Sequence, residues 1–242
     1  GTSMKYHQQA LTIAKETDDR RGEGQILSSL GNDYHALNQM DKAIEHYQQS
    51  LIIARAVDDH SGESNLLNNL GLTYKKLGQL DKAIQSYQQA LAIAQKINAW
   101  RYEMSSLSYL GNAYYALGDV KKAIEYHQQA LTLAQENGDR YAEGLRLYSL
   151  GLNHRKIGER EKALQYWRRA LPVFIEVESA DDIARVRRML GSLLNEVNSR
   201  NNTAMFINIA ALAILFLAMM LWAIVRFTKR FRRGSHKSQA DK

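Results

Sequence analysis

The sequence predicts an all-α chain, a solenoid of helical hairpins followed by one transmembrane helix. Three observations predict it. Leu-Gly recurs at Leu30-Gly31, Leu70-Gly71, Leu110-Gly111, Leu150-Gly151 and Leu190-Gly191, an unbroken period of 40, and self-similarity at a fixed period is the signature of stacked repeats. Pro172 is the one proline in 242 residues, so helix interiors run uninterrupted. Residues 204–225 are apolar apart from Asn208 and would span about 33 Å as a helix, enough to cross a bilayer.

Within one period, Leu67, Leu70, Tyr74 and Leu77 fall three and four apart and form one helical stripe. Gly78 ends that helix, and Asp81 sits in the first turn of the next, where a negative charge suits the dipole. Ala83, Ile84, Tyr87, Leu91 and Ala94 form the second stripe. Lys-Ala-Ile recurs at 42–44, 82–84 and 122–124, then as Lys162-Ala163-Leu164, with Tyr47, Tyr87, His127 and Trp167 four residues after each alanine. Helices are predicted at 4–17, 22–38, 41–57, 62–77, 81–97, 101–117, 121–137, 141–157, 161–177 and 181–197. Neither helix of a pair buries its stripe alone, so successive hairpins must share a core.

The pattern Leu67-x2-Leu70-Gly71-x2-Tyr74, then Ala83-x3-Tyr87-x2-Ala90, resembles the tetratricopeptide repeat. The same frame fits Leu107, Leu110, Gly111, Tyr114, Ala123, His127 and Ala130. The resemblance covers about residues 4–197 and implies a right-handed superhelix whose inner wall binds a polypeptide. The period of 40, longer than the usual 34, resembles the subgroup seen in kinesin light chains and cell-polarity adaptors. The family's proline after the second helix is absent. The organisation read from this is residues 1–3 as a cloning scar, 4–197 as the solenoid, 198–203 as a short linker, 204–225 as the membrane helix and 226–242 as a basic tail. Met4 is either the natural start or the remains of a longer chain, and the unpaired first helix favours the longer chain.

In this family the first helix of each hairpin lines the concave groove. Transferred to this chain, that frame gives Gln25, Ser28, Asn32 and His35; Asn65, Asn68, Leu72 and Lys75; Ser105, Ser108, Asn112 and Tyr115; then Leu145, Tyr148, Leu152 and Arg155. Asn and Ser suit the backbone of an extended peptide, Tyr and Leu its side chains, and Lys75 and Arg155 a carboxylate. The family's carboxylate clamp is incomplete, because Ser28 stands at its first lysine position.

The net charge of +7 sits almost wholly in residues 226–242, which carry +6, so the predicted array is nearly neutral and a nucleic-acid partner is disfavoured. Trp222 reads as an interfacial anchor, and Arg226, Lys229, Arg230, Arg232 and Arg233 as a stop to the span. The positive-inside rule would put the tail in the cytoplasm and the array outside, whereas the absence of a leader before the array favours a tail-anchored, cytosolic array. Arg185, Arg187, Arg188 and Arg200 are placed to meet anionic lipid, and Asn208 to help spans associate into oligomers. There is no cysteine, no phosphate loop, no paired-histidine zinc motif and no nucleophile elbow, so no cofactor, metal or catalysis is expected. His7 and His127 fall on core aromatic positions. Asp58-Asp59-His60 falls in a turn, where Asp serves as a cap. The functions these features support are a membrane-tethered adaptor, a receptor-type sensor signalling through its span, or a regulatory subunit at the membrane.

Overall fold

The computed structural model describes residues 2–199 and, beyond them, 202, 203, 205, 206, 212, 219 and 220. All of the regular structure among these is helical. The helices are α1 (Thr2–Glu16), α2 (Arg20–Ala36), α3 (Met40–Ala56), α4 (His60–Lys76), α5 (Leu80–Lys96), α6 (Trp100–Leu117), α7 (Val120–Glu136), α8 (Arg140–Lys156) and α9 (Arg160–Glu176), with a further helix over 180–199. The chain divides into two compact units, 1–187 and 188–242. The boundary falls inside the last helix, ten residues before the expected end of the solenoid. Residues 198, 199, 202 and 203 are helical, and Thr203 Oγ1 donates to the Ser199 carbonyl at 2.9 Å. The expected linker is therefore helical where it is described.

In the first unit each helix packs on its sequence neighbours, and α4 also touches α6. The helices begin one or two residues earlier than expected because the caps lie earlier. Asp19, Asp59, Asp119 and Asp139 are N-caps whose carboxylates accept the N–H of Gly22, Gly62, Lys122 and Ala142, satisfying donors that would otherwise be orphaned. The helix ends follow a strict 20-residue rule. Asp18, Asn38, Asp58, Gly78, Asn98, Gly118, Gly138, Gly158 and Glu178 all have positive φ, from 51° to 92°. After α4, the Gln79 N–H donates to the Tyr74 carbonyl at 2.9 Å and the Gly78 N–H to Lys75 at 3.0 Å, the Schellman pairing. Glycine supplies this left-handed residue in four turns, and Asn, Asp or Glu supply it elsewhere.

The Leu-Gly period has a steric cause in its first four members, whereas a Cβ added at Gly191 would meet nothing within 4 Å. A Cβ added at Gly31 would lie 2.5 Å from the Tyr47 ring and one at Gly111 2.6 Å from the His127 ring, and Gly71 and Gly151 are pressed in the same way by Tyr87 and Trp167. Each of these glycines therefore seats the aromatic of the following helix. Tyr47, Tyr87, His127 and Trp167 are at most 2 % exposed, as full insertion of a large ring requires. The recurring lysine has a role too. Lys42, Lys82 and Lys122 stand over the rings of Tyr34, Tyr74 and Tyr114 at 5.3, 5.5 and 4.9 Å. In the fourth hairpin His154 replaces the tyrosine and pairs with Glu159 at 2.6 Å, and Glu159 takes Lys162 at 3.0 Å.

No described helix is long and apolar enough to cross a membrane. The expected span at 204–225 lies outside the described residues except for Met205, Phe206, Leu212, Met219 and Met220, and Trp222, Arg226, Lys229, Arg230, Arg232 and Arg233 lie outside them entirely.

Candidate functional site

The first helices of the hairpins, α2, α4, α6 and α8, carry three adjoining cavities. The first, about 270 Å³, is lined by Arg21, Gln25, Ser28, Asp59, Asn65 and Tyr102 among others. The second, about 390 Å³, shares Asn65 and Tyr102 with it and adds Asn68, Arg101, Ser105 and Tyr109. The third, about 260 Å³, shares Ser105 and Tyr109 and continues to Ser108, Tyr141, Leu145 and Arg146. Shared walls make these one trough running from α2 to α8.

Seven of the residues expected in the groove, Gln25, Ser28, Asn65, Asn68, Ser105, Ser108 and Leu145, line it. They are not equivalent. Gln25 and Asn65 are exposed and offer free amides. Asn68 is 3 % exposed and exchanges hydrogen bonds with Ser106, donating at 3.0 Å and accepting at 3.1 Å. Its polarity therefore serves the packing of α4 on α6, whereas the sequence assigns it to the backbone of a bound peptide. The hydroxyls of Ser105 and Ser108 donate to their own helix, at Arg101 and Met104, so neither brings a spare donor.

The remaining expected residues lie outside the three cavities. Asn32 and Asn112 are exposed, and Asn32 accepts the Tyr47 hydroxyl at 2.7 Å, steadying the ring under Gly31. Half-buried His35 is held below its ordinary pKa by burial and then by Lys76. Burial likewise lowers Lys75. Tyr115 lies under Lys156, 4.0 Å from the ring centroid, and its carbonyl accepts the same ammonium at 2.9 Å. Tyr148 packs against Trp167 beneath Arg185, and Arg155 is engaged with its neighbours. Both side chains are therefore engaged within the array.

Sequence reasoning missed Arg101, Tyr102, Tyr109 and Arg146. Tyr102 stands where other hairpins have Gly22, Gly62 and Ala142, and Arg146 where they have Ile26, Leu66 and Ser106. Departure from the period was the available signal. Tyr109 stacks on Tyr87 with centroids 5.3 Å apart, and burial raises the Tyr87 phenol above its usual range. His127 is pushed down to about 3 by burial, then by Arg146 and Lys75, so it packs as a neutral ring. Asp58-Asp59-His60 is a turn, with Asp58 left-handed and Asp59 the cap of α4. Among the described residues no group of three or more His, Asp or Glu is placed to hold a metal ion.

The tetratricopeptide repeat family profile matches residues 2–56, 23–96 and 102–176, most of the chain. The chain belongs to the tetratricopeptide repeat family. No curated protein matches it in sequence. Solved tetratricopeptide-type structures share its fold. BtubC (BKLC) from P. vanneervenii superposes with a TM-score of 0.74 at 16 % identity, over 81 % of this chain and 84 % of that one. Apo RapI gives 0.72 at 16 %, over 79 % and 53 %. The Rap conjugation gene regulator of plasmid pLS20, solved with the Phr* peptide, gives 0.60 at 21 %, over 75 % and 50 %. This chain thus spans about half the length of the Rap proteins.

Proposed function

We propose that this protein is an interaction scaffold whose trough along α2, α4, α6 and α8 holds an extended segment of a partner polypeptide, and whose residues 204–225 tether it to a bilayer. The observation that carries the first part is the continuity of the trough. Exposed amides at Gln25 and Asn65 and aromatic faces at Tyr102 and Tyr109 line one path, the mixture of hydrogen-bonding and apolar surface that an extended chain needs. The likeness in fold to a Rap regulator solved with a bound peptide supports this reading.

Asn65 borders two of the cavities, so Asn65→Arg obstructs the path without touching the core. Peptides selected from a random displayed library on the full chain should lose most of their binding to Asn65→Arg. Binders indifferent to that change would refute the groove.

The tether rests on sequence. The apolar run is long enough to span, and Trp222 with Arg226, Lys229, Arg230, Arg232 and Arg233 flanks it as interfacial and stop residues would. Alkaline extraction of membranes should leave the full chain in the pellet and release a chain ended at residue 199; release of both would refute the tether. Protease protection in the same membranes places the array, which we assign to the cytosolic side.

A further inference from the structure

We infer that Arg146 is an anion-recognising anchor at the α6–α8 end of the trough, taking the carboxylate of an acidic side chain in the bound polypeptide. This deepens the groove reading above and rests on it.

The first ground is register. One and two periods earlier the same position holds Ser106 and Leu66, at 0 % and 3 % exposure. The repeat frame therefore needs a small or apolar residue here, and packing gives no reason for a guanidinium. The second ground is the state of that guanidinium. Its Nε and Nη1 are enclosed and, among the described residues, have no hydrogen-bond partner. Arg140, on the same helix, shows the ordinary arrangement, forked onto Glu143 and Glu176. An enclosed cation with unmet donors is costly, and a ligand carboxylate that meets them relieves the cost by charge-assisted, geometrically matched bonds.

The surroundings set the sign of the ligand. A cavity of about 260 Å³ opens beside Arg146, several times the ~30 Å³ that one water occupies in the liquid. Lys75 and His127 bear on the same region, since both Lys75 and Arg146 act electrostatically on the His127 ring. The acidic group facing Arg146 is Asp139, which lines the same cavity and caps α8 by accepting the Ala142 N–H through Oδ1 at 2.9 Å. Ser105 and Ser108 have spent their hydroxyl protons on their own helix, so the cationic donor in the lining is Arg146, beside the Tyr109 and Tyr141 hydroxyls. A guanidinium with unmet N–H groups favours a carboxylate and disfavours a basic side chain.

The test uses the full chain and a displayed library of random unmodified dodecapeptides. Peptides that bind the wild type and fail on Asn65→Arg should carry Asp or Glu at a fixed position, and replacing that residue by Asn or Gln should weaken binding about tenfold or more. On Arg146→Gln the acidic and amide peptides should bind equally well. Arg146→Leu, which restores the residue found at Leu66, should behave likewise while keeping the melting temperature at or above the wild-type value. Groove-directed peptides with no acidic preference, or an acidic preference retained in Arg146→Gln and Arg146→Leu, would overturn the anchor and leave the groove standing. Binders insensitive to Asn65→Arg would overturn both.

Discussion

His127 offers a stringent check on how the third hairpin is packed. Its ring is 1 % exposed, lies under Gly111 and leaves Nδ1 without a partner. Burial, reinforced by Arg146 and Lys75, holds it neutral down to about pH 3, against an ordinary value near 6.5 in the unfolded chain. Between those pH values the unfolded chain takes up a proton that the folded chain refuses. The neutral ring's contribution to stability is therefore intact above about 6.5 and declines as pH falls. At 1.36 kcal/mol per unit, lowering the pH to about 5 costs roughly 2 kcal/mol. His127→Tyr removes the titration while keeping a ring that the frame already accepts at Tyr47 and Tyr87. Urea denaturation of both proteins at pH 7.5 and 5.0 should show the wild type losing about 2 kcal/mol more than the variant. Equal losses would mean that the imidazole accepts a proton in the folded state, and the packing argument would fail.

Three further outcomes follow from the same geometry. Gly151→Ala should lower stability by about 1–3 kcal/mol through overlap with the Trp167 indole, although helix propensity alone would raise it by about 1; the sign of the shift in thermal midpoint decides which wins. Glu178→Gly, at φ +54°, should raise the midpoint by about 2–4 °C by removing roughly 1 kcal/mol of left-handed strain. Asn68→Ala and Ser106→Ala should each cost about 1–3 kcal/mol by stranding the buried partner, and the double change should cost less than the two together; additive losses in a double-mutant cycle would mean that the pair does not couple.

The fold was legible because each repeat repeats its reasons. Gly31 and Tyr47, or Gly71 and Tyr87, are fixed by one steric relation, and a relation used four times leaves a period in the sequence. The turns were half legible. Gly78 announces a left-handed residue, whereas Asp58 and Glu178 take the same conformation with side chains that do not announce it. The groove was the least legible part. A helical wheel separates an apolar stripe from a polar face, but it cannot tell a solvated amide such as Asn65 from one consumed between neighbouring repeats. Asn68 faces Ser106, 38 residues away, and that partnership depends on how α4 sits on α6, which no single hairpin encodes.

A repeat protein carries its own control for this difficulty. Equivalent positions in successive hairpins meet nearly the same backbone surroundings, so a residue that departs from its counterparts answers to something the frame does not require. By that criterion the trough is chemically uneven. At the α2–α4 end it offers Gln25, Ser28 and Asn65, with Arg21 and Asp59 of opposite charge in the same lining. The glycine of two earlier hairpins has become Tyr102, which borders the first two cavities, and at the α6–α8 end the core position of Leu66 and Ser106 has become Arg146. Neutral amides and hydroxyls pair with any extended backbone and so confer little preference. An enclosed guanidinium beside an aromatic wall discriminates by charge, because the wrong ligand leaves it unpaired. Preference for an acidic partner therefore falls to Arg146, and exchanging Tyr102 and Arg146 for their counterparts Gly and Leu should broaden the range of peptides bound without unfolding the array.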